Sequence, residues 1–106
     1  MADDQTSVFR ALADSTRRQI LQDLREGELT AGDIASRFPI SGPSISRHLT
    51  VLKAAGLVEE RRESNRIFYS LVEERLANAV GNFLSNVCPE QVVIRHKRKK
   101  SSLREV

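Results

Sequence analysis

The sequence predicts a mainly α-helical fold with one small β-hairpin, and three observations support this. Apolar residues recur at helical spacing through most of the first 56 residues and again from about residue 72 to residue 87. Two short runs between these regions contain β-forming residues on either side of a polar turn. Aromatic residues make up only 5% of the chain, so aliphatic side chains must fill most of the core. The predicted order of elements is four helices, two strands and a last helix.

The first two helices are predicted from capping residues and glycine. Thr6 or Ser7 can cap the first helix, and Asp14 or Ser15 can cap the second. Gly27 is placed to end the second helix. The apolar face of the first helix comprises Val8, Phe9 and Leu12.

The third helix and the residues after it predict a helix-turn-helix. Thr30 begins the third helix, Asp33 lies in its first turn and Phe38 is at its end. Residues 39–42, with one proline and one glycine, form a short turn before the next helix. Two helices joined by such a turn, the second with an exposed outer face, are typical of DNA-binding proteins.

The segment from residue 40 to residue 58, ISGPSISRHLTVLKAAGLV, predicts the fourth helix and has the features of a DNA recognition helix. Ser41 can cap it, Pro43 falls in its first turn, and Gly56 supplies the left-handed residue that ends it. Ile45, Leu49 and Leu52 face the core. The opposite face is small enough to enter a major groove, and Arg47 is placed to contact a guanine there. The alternative is an ordinary surface helix with a solvated arginine.

The hairpin is predicted from two extended runs, residues 57–63 and 66–71, on either side of Ser64 and Asn65. Its arginines would reach the sugar-phosphate backbone beside the recognition helix, so the hairpin would act as a wing. The alternative is a solvated charged hairpin. The predicted DNA-binding residues of helix and wing are Ser41, Ser44, Ser46, Arg47, His48, Thr50, Arg61, Arg62 and Arg66.

The last helix carries an apolar stripe from about residue 72 to residue 87 and ends before Pro89. The stripe is longer than a compact domain of this size can cover, so we assign it, with the first helix, to a second copy of the chain. The alternative is that it folds back on its own domain. The predicted dimer interface comprises Val8, Phe9, Leu12, Leu76, Val80, Phe83, Leu84 and Val87.

Charge is distributed unevenly along the chain. Residues 92–106 hold six Lys or Arg and one Glu, a net charge of +5, whereas residues 1–91 hold 11 Lys or Arg and 13 acids, a net charge of −2. Residues 37–66 are nevertheless +3, from six basic and three acidic residues, and they include the candidate recognition helix. We therefore predict one folded domain, residues 1–88, and a disordered basic tail, residues 89–106. Residues 95–100 of the tail would contact DNA of any sequence; the alternative is that they only aid solubility.

Several other classes of protein are disfavoured. No apolar run approaches the ~20 residues that span a bilayer, and the acidic N-terminus is unlike a signal peptide. The single cysteine, Cys88, cannot form an intrachain disulfide, which fits the reducing cytoplasm. No nucleophile and base lie in a catalytic pattern and no phosphate-binding glycine loop is present, so we expect neither an enzyme nor a cofactor.

Four stretches together resemble the ArsR-type winged helix-turn-helix repressors of bacteria: FRALADSTRRQIL, TAGDIASRF, ISGPSISRHLTVLKAAGLV and RIFYSL. The similarity covers residues 7–88, and TAGDIA, PSISRHL and FYSL are most similar to the SdpR-type autorepressors. The resemblance implies a homodimer that binds an inverted-repeat operator in double-stranded DNA through the helix at residues 41–55. The chain departs from the family pattern at Gly42, often a longer residue, and at Ser64 and Asn65, where a wing turn commonly has glycine.

Metal sensing is the family activity that this sequence does not support. Metal-sensing members have a Cys-X-Cys ligand set where this chain has Thr30, Ala31 and Gly32, none of which supplies a thiolate. Residues 72–87 contain no histidine, and their only acids are Glu73 and Glu74. We therefore expect no metal. Two functions stay open: a sequence-specific repressor, or a winged-helix module that docks on another protein and binds nucleic acid nonspecifically through its tail.

Overall fold

The computed structural model describes residues 4–92, apart from the side chain of residue 4, and has the predicted mainly helical fold. The tail was predicted to be disordered from residue 89, but residues 89–92 are helical, and the Val92 N–H donates to the Cys88 carbonyl at 3.4 Å. The rest of the tail, residues 93–106 with His96, lies outside the described residues. The helices are α1 (Asp4–Leu12), α2 (Ser15–Leu24), α3 (Ala31–Ala35), α4 (Gly42–Ala54) and α5 (Glu73–Val87). The strands are β1 (Leu29–Thr30), β2 (Val58–Glu63) and β3 (Arg66–Leu71).

The predicted hairpin is the larger part of a three-stranded antiparallel sheet with the order β1-β3-β2. The short strand β1 was not predicted; it pairs Leu29 with Tyr69 and Thr30 with Phe68. A two-residue strand has no periodicity that a sequence pattern could reveal. Its pairing attaches the start of the helix-turn-helix to the wing.

Hydrogen bonds confirm the predicted starts of three helices. The Asp14 carboxylate accepts from the backbone N–H of Arg17 at 3.0 Å, and the Ser41 hydroxyl accepts from that of Ser44 at 3.2 Å. Thr30 and Asp33 form a capping box, in which each side chain accepts from the other residue's backbone N–H.

Two predicted boundaries were wrong. Helix α1 begins at Asp4, so Thr6 and Ser7 lie inside it rather than capping it. Helix α3 ends at Ala35, before Phe38, because the chain turns early towards Pro39.

The core lies where the helices meet the inner face of the sheet. Ile45, Leu49 and Leu52 are buried, as the stripe on α4 predicts. Val8 was wrongly assigned to a dimer interface: it is completely buried within its own chain. Helix α5 buries Ala79, which the predicted stripe omitted, because α5 meets the body through this small residue. In the described residues, no helix is long and apolar enough to span a membrane.

Gly56 ends the recognition helix as predicted, with a φ of 77° that side chains with a Cβ rarely adopt. A Cβ added at this position would also lie 3.3 Å from the Arg75 side chain, which reaches over from α5. In the wing turn, the residue with a positive φ is Ser64, at 55°.

Replacing Gly56 with Ala should lower the free energy of unfolding by about 1–2 kcal/mol, because alanine is strained in the left-handed region. Urea denaturation followed by circular dichroism measures this change. Gly42→Ala is the matched control, since nothing lies within 4 Å of an added Cβ there and its φ is not positive. Equal stability of the two variants would contradict the assignment of Gly56.

Candidate nucleic-acid interface

The outer face of α4 is exposed and polar, as the sequence predicts. Ser46, Arg47 and Thr50 are all exposed. The Thr50 hydroxyl donates to the Ser46 carbonyl at 2.9 Å, so its oxygen is left as an acceptor on the surface. Among residues 4–92, nothing pairs with the guanidinium of Arg47. This face therefore presents one available cation among short side chains.

The N-terminal end of α4 offers donors suited to a phosphate. The Ser41 hydroxyl accepts from the Ser44 backbone and donates to the Ser44 hydroxyl oxygen at 2.9 Å, so it is occupied in capping. The Ser44 hydroxyl keeps its own proton free to donate. The first N–H groups of a helix and its dipole attract anions. Ser44 is thus better placed than Ser41 for direct contact.

His48 does not lie where we expected. Its side chain is only 20% exposed, and its Nδ1 lies 3.3 Å from Arg17 Nη1 and 3.8 Å from Asp14 Oδ2. Both partners belong to the start of α2. The structure therefore favours a role for His48 in packing helices over direct contact with DNA, because its ring is turned towards the body.

The wing arginines Arg61 and Arg62 project from opposite faces of the hairpin. Arg61 is paired with Phe68 and Arg62 with Ile67, and neighbouring residues of a strand point to opposite sides. Ile67 packs against the core, so Arg62 emerges on the core side of the sheet, where α4 also lies. Of these two arginines, Arg62 is therefore the one on the same side of the sheet as the recognition helix.

Arg61 is held by carboxylates, which its sequence position did not reveal. Its Nε and Nη2 donate to the two Glu28 carboxylate oxygens at 3.2 and 2.9 Å, and its Nη1 donates to Glu63. Its guanidinium also lies 4.6 Å from the centre of the Phe68 ring. The bidentate pair holds the pKa of Glu28 below its usual range. Arg61 is thus held in ion pairs on the outer face of the sheet. Its predicted role, an unpaired cation that contacts the sugar-phosphate backbone of DNA, does not fit this geometry.

One of the remaining wing contacts joins the hairpin to the recognition helix. Lys53, at the end of α4, donates to Glu60 of β2 at 2.5 Å, and this bond lowers the pKa of Glu60. Tyr69 donates to the other Glu60 oxygen at 3.4 Å. Arg66 is exposed and lies 5.3 Å from the Phe68 ring. The Lys53–Glu60 pair therefore connects the end of the recognition helix to the wing.

Sequence reasoning missed three residues that shape this surface: Arg17, Glu28 and Lys53. Each acts across 7 to 33 positions of the chain, as the bonds Lys53 to Glu60, Arg17 to His48 and Arg61 to Glu28 show. Helical or strand periodicity carries no signal for such pairs. Only the folded arrangement brings them together.

Comparison with known proteins agrees with this geometry. A family model described as a helix-turn-helix domain matches residues 12–61. The transcriptional repressor SdpR of Bacillus subtilis (strain 168) is 46% identical over 80 residues, which cover 76% of this chain and 88% of that protein.

Two solved structures are similar in fold. One is an ArsR-like transcriptional regulator from Rhodococcus sp. RHA1, with a TM-score of 0.69 and 30% identity over 96% of this chain and 91% of that one. The other is the homodimeric winged helix-turn-helix DNA-binding domain Mb0332 of Mycobacterium bovis, with a TM-score of 0.67 and 34% identity over 85% and 82%. These relatives confirm the expectation of a regulator rather than an enzyme. The chain belongs to the ArsR family of winged helix-turn-helix DNA-binding transcriptional regulators.

Proposed function

We propose that the protein is a homodimeric repressor that binds an inverted-repeat operator in the cytoplasm and needs no metal. The observation that carries this proposal is the outer face of α4, exposed and polar, with Arg47 unpaired among the described residues. Ser44 at the start of the helix and Arg62 on the wing flank that face and are suited to phosphates. Base contacts at the centre with phosphate contacts at the sides are what sequence-specific binding requires.

Support for a homodimer comes from the apolar end of α5. Phe83, Leu84 and Val87 are 48%, 40% and 64% exposed. Phe83 meets Phe9 of α1 edge to face, with ring centres 5.4 Å apart, so the two helices form one continuous apolar surface. The Mb0332 domain is described as homodimeric. The other predicted interface residues, Leu12, Leu76 and Val80, are partly buried, and Leu12 and Leu76 pack against the core of their own chain.

Independence of metal is proposed from the residues at the family's ligand positions. Thr30 is a capping residue whose hydroxyl accepts from Asp33, and Gly32 has no side chain. Within residues 4–92, no group of three His, Cys, Asp or Glu side chains is arranged to hold an ion. Occupancy of the operator would then follow the concentration of the protein itself, as in an autorepressor. SdpR, the relative described above, is named a repressor.

Arg47→Ala should weaken binding to the operator by about 1–3 kcal/mol and change binding to random DNA little, because a base contact is lost. The operator can be obtained by selection from a random duplex library with the wild-type protein. Fluorescence anisotropy with both DNAs measures the change. An equal loss on both would show that Arg47 does not read bases.

Arg62→Ala should weaken binding to all DNA and lower the slope of log affinity against log salt by about 0.9, because one phosphate contact is lost. Arg61→Ala is the matched control: it removes the same charge from the neighbouring position, but Arg61 is already held by Glu28 and Glu63. Its effect on the slope should be smaller. A larger slope change for Arg61→Ala than for Arg62→Ala would show that Arg61, not Arg62, makes the phosphate contact.

Replacing Phe83 and Leu84 together with Glu should give monomers that lose operator binding and keep their helical content, because charge disrupts the apolar surface. Sedimentation velocity and circular dichroism measure both. Ser85→Glu is the control, since helical spacing turns Ser85 away from that surface and it is exposed. A wild-type protein that is monomeric at micromolar concentration would refute the dimer.

The basic tail is proposed to strengthen binding to any DNA. Residues 95–100 contain five cations, and residues 1–91 are net negative. Truncation after Cys88 should make the salt slope shallower and leave the ratio of operator to random affinity unchanged, because such contacts are to phosphates. Salt titration by anisotropy tests this, and an unchanged slope would leave the tail without this role.

A further inference from the structure

Arg17 of α2 lies where three helices meet. Its Nε donates to the Ala11 carbonyl at 2.7 Å and its Nη2 to the Arg10 carbonyl at 3.0 Å, so it occupies two acceptors at the end of α1. Its Nη1 lies 3.3 Å from His48 Nδ1 in the middle of α4. One side chain therefore joins α1, α2 and the recognition helix.

The last contact is a hydrogen bond only if the histidine nitrogen accepts. A guanidinium only donates, so this hydrogen bond forms with His48 Nδ1 as the acceptor and the ring proton on Nε2. Protonation at Nδ1 would place two donors against each other. The charged groups placed against this nitrogen are Arg17 and Asp14, and the backbone N–H of Arg17 holds the pKa of Asp14 below its usual range.

His48 directly follows Arg47, which makes its contact relevant to recognition. A bidentate contact with a base demands accurate distances and angles, whereas long cationic side chains can follow phosphates when a helix shifts slightly. We propose that Arg17 is a positioning residue that sets the orientation of α4 through His48, and so contributes to sequence discrimination without contacting DNA. This inference rests on the proposed function, because it concerns the presentation of Arg47 to an operator.

The chain supplies a matched control in Arg18. Its Nη1 donates to the Leu12 carbonyl at 2.7 Å, so it too is a cation on α2 that binds the end of α1. The structure gives it no bond to α4 within the described residues. Arg17→Gln should lower the ratio of operator to random affinity by roughly threefold to tenfold, the effect of one hydrogen bond. Arg18→Gln should weaken both affinities alike and leave the ratio unchanged.

Two variants of His48 keep the test valid if Arg17→Gln does not fold. His48→Phe retains the ring shape and both bonds of Arg17 to α1 but has no acceptor, and it should lower the ratio as Arg17→Gln does. His48→Asn places an amide oxygen near the position of Nδ1, and it should restore much of the ratio. If His48 only packed between the helices, His48→Phe should preserve the ratio better than His48→Asn does.

The experiment measures anisotropy with the full chain, using the selected duplex and a scrambled duplex of equal length at constant ionic strength. The expected result is a lower ratio for Arg17→Gln and His48→Phe, and a ratio restored towards that of the wild type for His48→Asn. The inference is overturned if Arg17→Gln and Arg18→Gln have the same ratio, or if His48→Phe matches the wild type. A wild type with no preference for the selected duplex would refute the proposed function, and this inference with it.

Discussion

The position of α4 on the body is the constraint on which the rest of the structure depends. Ile45, Leu49 and Leu52 bury one side of the helix in the core, which exposes the side that carries Arg47. Its two ends are fixed by the Ser41 cap and by the left-handed Gly56. At the far end, Arg75 of α5 donates to the Ala55 carbonyl at 3.2 Å. The apolar stripe sets the rotation of the helix, and these polar contacts set its length and axial position.

The charged side chains of the wing have different roles, although they are close together in sequence. Arg61 is held by two carboxylates, and Glu60 is held by Lys53. These pairs are solvent-exposed and therefore contribute little to stability. Their main effect is to decide which cations are available to a phosphate: among the described wing residues, Arg62 and Arg66 have no carboxylate bond. A count of arginines in the hairpin therefore overstates its attraction for DNA.

The sequence predicted the fold well, because capping residues, glycines and apolar spacing are local signals. Asp14, Thr30 and Ser41 cap helices as expected, and the turn of the hairpin lies at Ser64 and Asn65. Strand β1 could not be predicted, since it consists of two residues paired with a strand 40 positions away: Leu29 with Tyr69. The burial of Val8 and the orientation of His48 depend on which helices pack together, which no single helix pattern contains. The ion pairing of Arg61 depends on Glu28, which is far away in sequence.

Methylation interference at guanine N7 on the selected duplex tests the central claim most directly, because this atom lies in the major groove where α4 is proposed to bind. The account predicts interference at guanines in two half-sites whose centres are about 10–10.5 base pairs, or one or more further helical turns, apart. It also predicts that methylation of one of these guanines in each half-site no longer weakens binding by the Arg47→Ala variant. Binding that is unaffected by N7 methylation, or unchanged interference in Arg47→Ala, would contradict the assignment of α4 as the helix that reads the sequence.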